Sequence, residues 1–495
     1  VSVLNKMQEQ GFTLKTQTDQ AASTKLTYAP PTKDETNTIA PHFALMVRDM
    51  LIAKFGEEKI TRSGFKVKTT LNRDWQTYAQ TIVANQVNRL AYNKVSNGAA
   101  VVEDPKTGDI KSLVGSKDWN DEKFGKFNIT TANRQPGSSF KPVIYSRALE
   151  EKIITPATVI QDVPTTFGGN YKPKNYDSKY RGPVTVRRAL GNSLNIPAVK
   201  VMEMLGVSQG IDQAKNLGLT TVDSARNYGL SLVLGSAEVK LLELTNAYAT
   251  FANKGILNES NFILEIKDKK NQTVNWDRQK PKRVMSDGVA FLIASILSDA
   301  GARSEVFSTV LNVSRTAAVK TGTTEDYRDA LTMGFTPNLT IGVWVGNNDN
   351  SPMDNIAGSL GAAPIWTSLM NKFLATLPNE GFLPPASVVS KQICGPGNAP
   401  LVAASPNPSA SPQAFSQTVT KEYFLRGTEP KDCTVPSPTP SASPSSSPDA
   451  TATPTPDTTP TPQASPTPQA SPTPSPSSSP SPILSPLPSS SASPI

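Results

Sequence analysis

The sequence has 495 residues, of which 37% are hydrophobic and 18% charged. It is too long for one ordinary core and too lean in both classes for all of it to be globular. With one histidine and two cysteines it excludes the usual His/Cys zinc site, and His42 is the only residue that could serve a Ser-His-Asp triad. The formal charge of +8 suits an anionic envelope polymer or a membrane surface. No helix-turn-helix, zinc-finger spacing or basic aromatic cluster points to nucleic acid.

Residues 1 to 40 are polar and turn-rich apart from one short amphipathic piece, VLNKMQEQGF, and read as a lead-in, the end of a preceding domain. PHFALMVRDMLIAKFG (41–56) has helical periodicity and closes on Gly56, a cap, with His42 at its start as a helix residue rather than a catalyst. GFKVKTTLN (64–72) alternates as a strand, and DWQTYAQTIVANQVNRLAYN (74–93) returns to a helical period. AAVVEDPKTGDIKSLVGS (99–116) predicts a hairpin turning around DPKTGD. The pattern from 130 to 260 is mostly helical. NFILEIKDKKNQTVNW (261–276) predicts another hairpin, SDGVAFLIASILSDAG (286–301) a helix, and 317–347 strand, loop, strand, loop, strand. Strands at both ends of a helical middle predict an α+β domain.

Residues 434 to 495 hold 19 of the 43 prolines, no Lys or Arg, and only Asp449 and Asp457 as charges. Such a segment cannot bury enough apolar surface to offset its ordering entropy, so a disordered, polyproline-like tail is expected, either a plain spacer or a glycosylated or wall-traversing stalk. Without it the body carries +10. Cys394 and Cys433 flank one late segment. They are either two free thiols or a disulfide, which would add about 3–4 kcal/mol in the chain-entropy model and imply an oxidising, exported setting. No apolar run approaches about 18 residues. The chain opens on Val1 rather than Met, so a further N-terminal piece is expected upstream of it, and an anchor there stays open.

Three short motifs carry chemistry. In RQPGSSFKP (134–142), Pro136 and Gly137 break the preceding structure and an apolar helix comes next. Residues i and i+3 share a helix face, which pairs Ser138 with Lys141 and turns Ser139 elsewhere. A serine at a helix start has a backbone N–H available for an oxyanion, and a desolvated lysine beside it can take the hydroxyl proton. In GNSLNIPAV (191–199), Ser193 and Asn195 can relay a proton and hold a substrate carbonyl. In AAVKTGTTEDYRDA (317–330), Lys320, Thr321 and Thr323 offer donors to a carboxylate, and Gly322 lets a ligand approach the strand closely. Taken singly, each also fits an exposed helix pair, a capping serine with a turn asparagine, and an edge strand running into a polar turn.

Jointly, in this order, the three resemble the motif set of penicillin-binding proteins and class A β-lactamases. The likeness extends to NYDSKYRGPVTVRRALGNSLNIPAV, LVLGSAEVKLLELTNAYATFANKG and KTGTTEDYRDALTMGFTP, and covers roughly 41 to 375. It resembles the transpeptidase domain of the bifunctional (class A) penicillin-binding proteins.

The resemblance implies an antiparallel sheet with flanking helices and a mostly helical subdomain over 41–380. An extension over 381–433 with Cys394 and Cys433 comes after it, then the 434–495 tail. It implies Ser138 as nucleophile, Lys141 as base, Ser193 and Asn195 as proton shuttle and positioner, and Lys320, Thr321, Gly322 and Thr323 as the carboxylate site. The backbone N–H groups of Ser138 and Thr323 would form the oxyanion hole. No metal and no cofactor are implied. The partners would be peptidoglycan stem peptides, a D-Ala-D-Ala donor and an amine acceptor, together with β-lactams and cell-envelope assembly proteins, outside the cytoplasm. In this family a membrane helix and a glycosyltransferase domain precede the transpeptidase, which implies a membrane anchor upstream of Val1; residues 1 to 40 resemble the end of that glycosyltransferase domain, and the domain itself is not legible in the chain. Leu331 stands where the family often has Trp, a packing change. A D,D-carboxypeptidase, a β-lactamase-type hydrolase, a non-catalytic β-lactam sensor or wall-binding module, and a wall protein whose tail is the working part remain alternatives.

Overall fold

The central sheet is built by five strands from two distant stretches of chain: β1 (Asn97–Asp104), β2 (Asp109–Val114), β3 (Ala318–Thr323), β4 (Asp329–Thr336) and β5 (Leu339–Gly346). All pairs are antiparallel, in the order β3-β4-β5-β1-β2. The β5–β1 pairing, Val343 opposite Ala100, therefore joins the two stretches. The computed structural model describes residues 1–25, 38–394 and 419–431. Cys433 and the 434–495 tail lie outside the described residues.

Alternate residues of a strand point to opposite faces, and here both faces are covered. Ala99, Val101, Met333, Phe335 and Trp344 enter the larger core, while Ala100, Val102, Ile341, Val343 and Val345 enter a second core on the other side. That is why AAVV is apolar throughout and LTIGVWVG is apolar apart from Thr340, instead of alternating.

The helices that support the sheet and the site are, in chain order, α1 (Pro41–Phe55), α2 (Arg73–Arg89), α3 (Lys141–Glu150), α4 (Val186–Gly191), α5 (Asn195–Leu205), α6 (Leu241–Ala252), α7 (Asp287–Ser298), α8 (Ala300–Phe307) and α9 (Ala363–Leu374). α6 and α7 pack on one face of the sheet and α2 and α9 on the other. Trp75 of α2 stacks on Phe373 of α9 with ring centroids 4.4 Å apart. α3 and α5 pack together and extend the larger core away from the sheet. Among the described residues no helix is long and apolar enough to cross a membrane.

The predicted α1, α2, β1–β2 hairpin, α7 and three late strands are present. The 261–276 hairpin forms as Ile263–Lys267 with Thr273–Val274 and takes Lys66–Thr69 as a third strand. Three features differ from the sequence expectation. Residues 1–25 hold two helices, Ser2–Glu9 and Lys15–Ser23, the second too polar to show an apolar period. Inside the helical stretch, Val159–Asp162 pairs with Gly182–Thr185 across a long loop. A last hairpin pairs β6 (Val388–Cys394) with β7 (Val419–Leu425), strands that lie far apart in the chain. Both pairings join segments that no short turn connects, so no local signal announces them.

Candidate active site

α3 does not begin at Ser138 as its sequence predicts. Gly137–Phe140 is a turn of 3-10 helix, and α3 starts at Lys141 with Pro142 in its first turn. In a 3-10 turn residues i and i+3 eclipse, which aligns Ser138 and Lys141 more directly than an α-helix would. Lys141 N donates back to Ser138 O. Ser139 is turned into the protein: its Oγ donates to Pro136 O at 2.6 Å, and Tyr248 OH donates to its carbonyl at 2.8 Å.

Gly137 makes this turn possible. Its φ of +53° lies in the left-handed region, and a Cβ there would stand 2.6 Å from Thr323 O. A bare backbone therefore brings the serine turn against the end of β3. Gly322 is similarly crowded, since a Cβ there would run into Pro136 O. Gly137→Ala is expected to push Ser138 away from β3 and to lower the rate of acylation by a fluorescent penicillin about 10- to 100-fold, measured by gel fluorescence against time.

Lys141 is 0% exposed. Its Nζ donates to Ser193 O and Asn195 Oδ1, both at 2.7 Å, and to Ser193 Oγ at 3.3 Å. Lys320 on β3 is 2% exposed, and its Nζ donates to the same Ser193 Oγ at 2.7 Å and to Thr321 O at 3.0 Å. One hydroxyl thus bridges two buried amines. Burial pulls Lys141 well below the ordinary 10.5, and the neighbouring Lys320 charge adds to the effect. Burial alone brings Lys320 down to about 7. Two ammonium groups around one hydroxyl in a dry pocket repel, so a neutral amine at Lys141 is favoured.

Ser193 has a φ of +60°, a left-handed conformation that costs a non-glycine residue on the order of 1–3 kcal/mol. It sits between the end of α4 and the start of α5. Asn195 is held by a residue the motifs did not single out. Asn175 Oδ1 accepts from Asn195 N at 2.8 Å and so caps α5 from a remote loop, while Asn175 Nδ2 donates to both oxygens of buried Asp162 at 2.8 and 2.9 Å. The one available signal was its place in NYDSKYRG.

Ser138, Ser193, Asn195, Thr321 and Thr323 line one cavity of 140 Å³, with Tyr176 and Phe307 on its walls. Ser138 is half-buried there. The Thr323 hydroxyl accepts from Gly358 N at 3.0 Å, so this side chain is fixed by the loop before α9. Sole His42 is elsewhere: it packs edge-on against Trp119, ring centroids 4.8 Å apart, and burial lowers it to about 4. Cys394 ends β6, and its pairing with Cys433 falls outside the described residues.

The model of the penicillin binding protein transpeptidase domain matches residues 98–371, more than half of the chain. The chain belongs to the penicillin-binding protein family. It is 31% identical over 444 residues to penicillin-binding protein 2D of Bacillus subtilis, covering 87% of this chain and 61% of that one. With penicillin-binding protein 1C of Escherichia coli the identity is 32% over 404 residues, 81% of this chain and 48% of that one. The chain thus spans about half to three-fifths of the length of these curated relatives.

Among solved structures, penicillin-binding protein 1A from Haemophilus influenzae shares the fold, with a TM-score of 0.68, 24% identity, and coverage of 88% of this chain and 82% of that one. PonA1 from Mycobacterium tuberculosis in complex with penicillin V has a TM-score of 0.61 and 25% identity, covering 70% of this chain and 96% of that one. In this penicillin-binding protein Leu331 is a core residue, buried on β4 opposite Trp344 of β5, whose Nε1 donates to Asp329 at 2.7 Å. An indole thus fills the adjoining strand position.

Proposed function

We propose that this chain is a serine D,D-transpeptidase that cross-links peptidoglycan stem peptides and is acylated by β-lactams at Ser138. The observation that carries the reading is the pair of buried amines, Lys141 and Lys320, meeting on the hydroxyl of Ser193, which lines the same cavity as half-buried Ser138. Ser138 Oγ attacks the penultimate D-Ala carbonyl carbon, and its proton passes to neutral Lys141. The oxyanion faces the backbone N–H groups of Ser138 and Thr323. The C–N bond then breaks, and the leaving D-Ala amine takes a proton relayed through Ser193. An acceptor amine attacks the resulting ester, gives its proton to Lys141, and Ser138 leaves as the hydroxyl. Lys320, Thr321 and Thr323 receive the terminal carboxylate, Gly322 keeps the strand open to it, and Asn195 orients the donor amide. A β-lactam undergoes the first half of this sequence, but its amine stays tethered.

The proposed donor and acceptor, with the basic body, support work in the bacterial envelope, outside the cytoplasm. The chain incubated with a D-Ala-D-Ala pentapeptide and an amine acceptor is expected to yield cross-linked dimer and free D-Ala by mass spectrometry. Free D-Ala without dimer would assign it as a D,D-carboxypeptidase, and absence of any covalent adduct with a fluorescent penicillin would refute the acyl-enzyme.

A further inference from the structure

Ser193 lies just past the last turn of α4, and α4 is fixed by a part of the chain that the motifs leave without a role. The β6–β7 hairpin lies on α7. Tyr423 packs edge-on against Phe291 with ring centroids 5.1 Å apart, and Ser387 Oγ donates to Asp287 at 2.7 Å. Ile393 and Phe424 form a small core of their own with Ala157. At the junction stands Arg187 of α4. Its Nε and Nη2 grip Glu422 of β7 as a fork, at 2.7 and 2.6 Å. Nη2 also donates to Ser295 Oγ at 3.0 Å, and Nη1 to Ser295 O at 3.0 Å and Asp299 Oδ2 at 3.3 Å. All five guanidinium donors are used. The Arg187 side chain is 15% exposed and that of Glu422 5%.

The other end of α4 is locked to α8. Asn192 Nδ2 donates to Ala302 O at 2.7 Å, and its Oδ1 accepts from Val306 N at 3.1 Å. Val306 and Phe307 line the cavity. The next residue is Ser193, in its left-handed conformation, which persists only where the surroundings over-determine it. A planar fork on a buried carboxylate supplies that constraint, since sliding α4 would break several charge-assisted bonds together.

We propose that Arg187 and Glu422 are positioning residues for the acylation site: the C-terminal hairpin clamps α4 and α8 as one block and so holds the Ser193 hydroxyl and carbonyl on Lys141. This rests on the assignment of Ser138 as the acylated residue. Removing Arg187 leaves the buried Glu422 carboxylate without a cation, and removing Glu422 leaves Arg187 with only the longer carboxylate contact, to Asp299 at 3.3 Å, so α4 relaxes to rehydrate the charge. Displacements of about 1 Å in a proton-relay group cost on the order of 100-fold in rate.

The test compares the whole chain with Glu422→Gln and Glu422→Asp. Acylation rate by a fluorescent penicillin is measured against pH, below the melting transition of each variant. Asp109→Asn serves as a control, because it breaks a buried cluster on β2 with Asn261, Lys111 and Arg278 instead. Glu422→Gln is expected to slow acylation about 10- to 100-fold. It should also move the acid limb upward by about one pH unit, as water reaches Lys141. Glu422→Asp should recover part of both. Asp109→Asn should lower the melting temperature and leave rate and limb in place. Native behaviour of Glu422→Gln, or a loss matched by Asp109→Asn at an equal drop in melting temperature, overturns the proposal while the acyl-enzyme reading stands. A native chain that is never labelled overturns both.

Discussion

Ser138→Ala is expected to abolish covalent labelling by a fluorescent penicillin and all cross-linking. The loss should be on the order of a million-fold, because the group proposed to form the acyl bond is gone and only the binding contacts remain. Ser138 is half-buried at the cavity wall, so losing its hydroxyl should change stability by no more than about 0.5 kcal/mol. Intact-mass spectrometry after exposure to penicillin reads the first effect and a melting curve the second. Ser139 next door supplies the control, because its hydroxyl is spent on Pro136 O inside the turn. An adduct mapped to Ser139, or labelling that survives in Ser138→Ala, would remove the nucleophile from the mechanism.

Lys141→Met is expected to lower the acylation rate by about 10²- to 10⁴-fold, the span of a positioned general base. It also leaves Ser193 O and Asn195 Oδ1 without the donor they now have at 2.7 Å, so a loss of stability of about 1–3 kcal/mol accompanies it. Rates must therefore be read below the melting transition. The pH profile separates base from scaffold. Only the neutral amine accepts a proton, so in the native chain acylation falls as the pH is lowered through the titration of the Lys141–Lys320 pair. Lys320 lowers Lys141 by charge repulsion, second to burial. In Lys320→Met that repulsion is absent, and the acid limb is expected to move to higher pH. An unmoved limb would mean that the two amines do not sense each other.

The same pair makes stability depend on pH in a definite direction. Lys320 is at about 7 in the folded chain, against an ordinary 10.5. Below 7 both states hold the proton and the full cost of burying the charge is present. Between 7 and 10.5 the unfolded chain binds more protons than the folded one, so stability rises with pH across that window. The melting temperature of the native chain should climb across it, and that of Lys320→Met should climb less. Equal slopes in the two chains would mean that Lys320 keeps its ordinary proton affinity in the fold.

Much of this site could be read locally. The Ser138–Lys141 spacing, the apolar β-strand ending in Lys320-Thr321-Gly322-Thr323 and the turn of the β1–β2 hairpin all depend on residues a few positions apart, and each was legible. Cap and turn chemistry was less so: the 3-10 form of the serine turn depends on Gly137 meeting Thr323, which no window around residue 137 contains. Likewise Asn175 caps α5 from a loop 20 residues upstream, in place of a capping side chain beside it.

The sequence alone determined the chemical inventory: with a single histidine at a helix start, the proposed serine chemistry falls to another base, and the lysine three positions from Ser138 is the candidate. Tertiary structure decided what surrounds that lysine. Ser193 and Lys320, 127 positions apart, share a hydrogen bond because the register of the central sheet and the seat of α4 bring them together. Periodicity records which face of an element is apolar, not which other element covers it. The desolvation that lowers the proton affinity of Lys141 is therefore a property of the assembled core, absent from any local stretch of the chain.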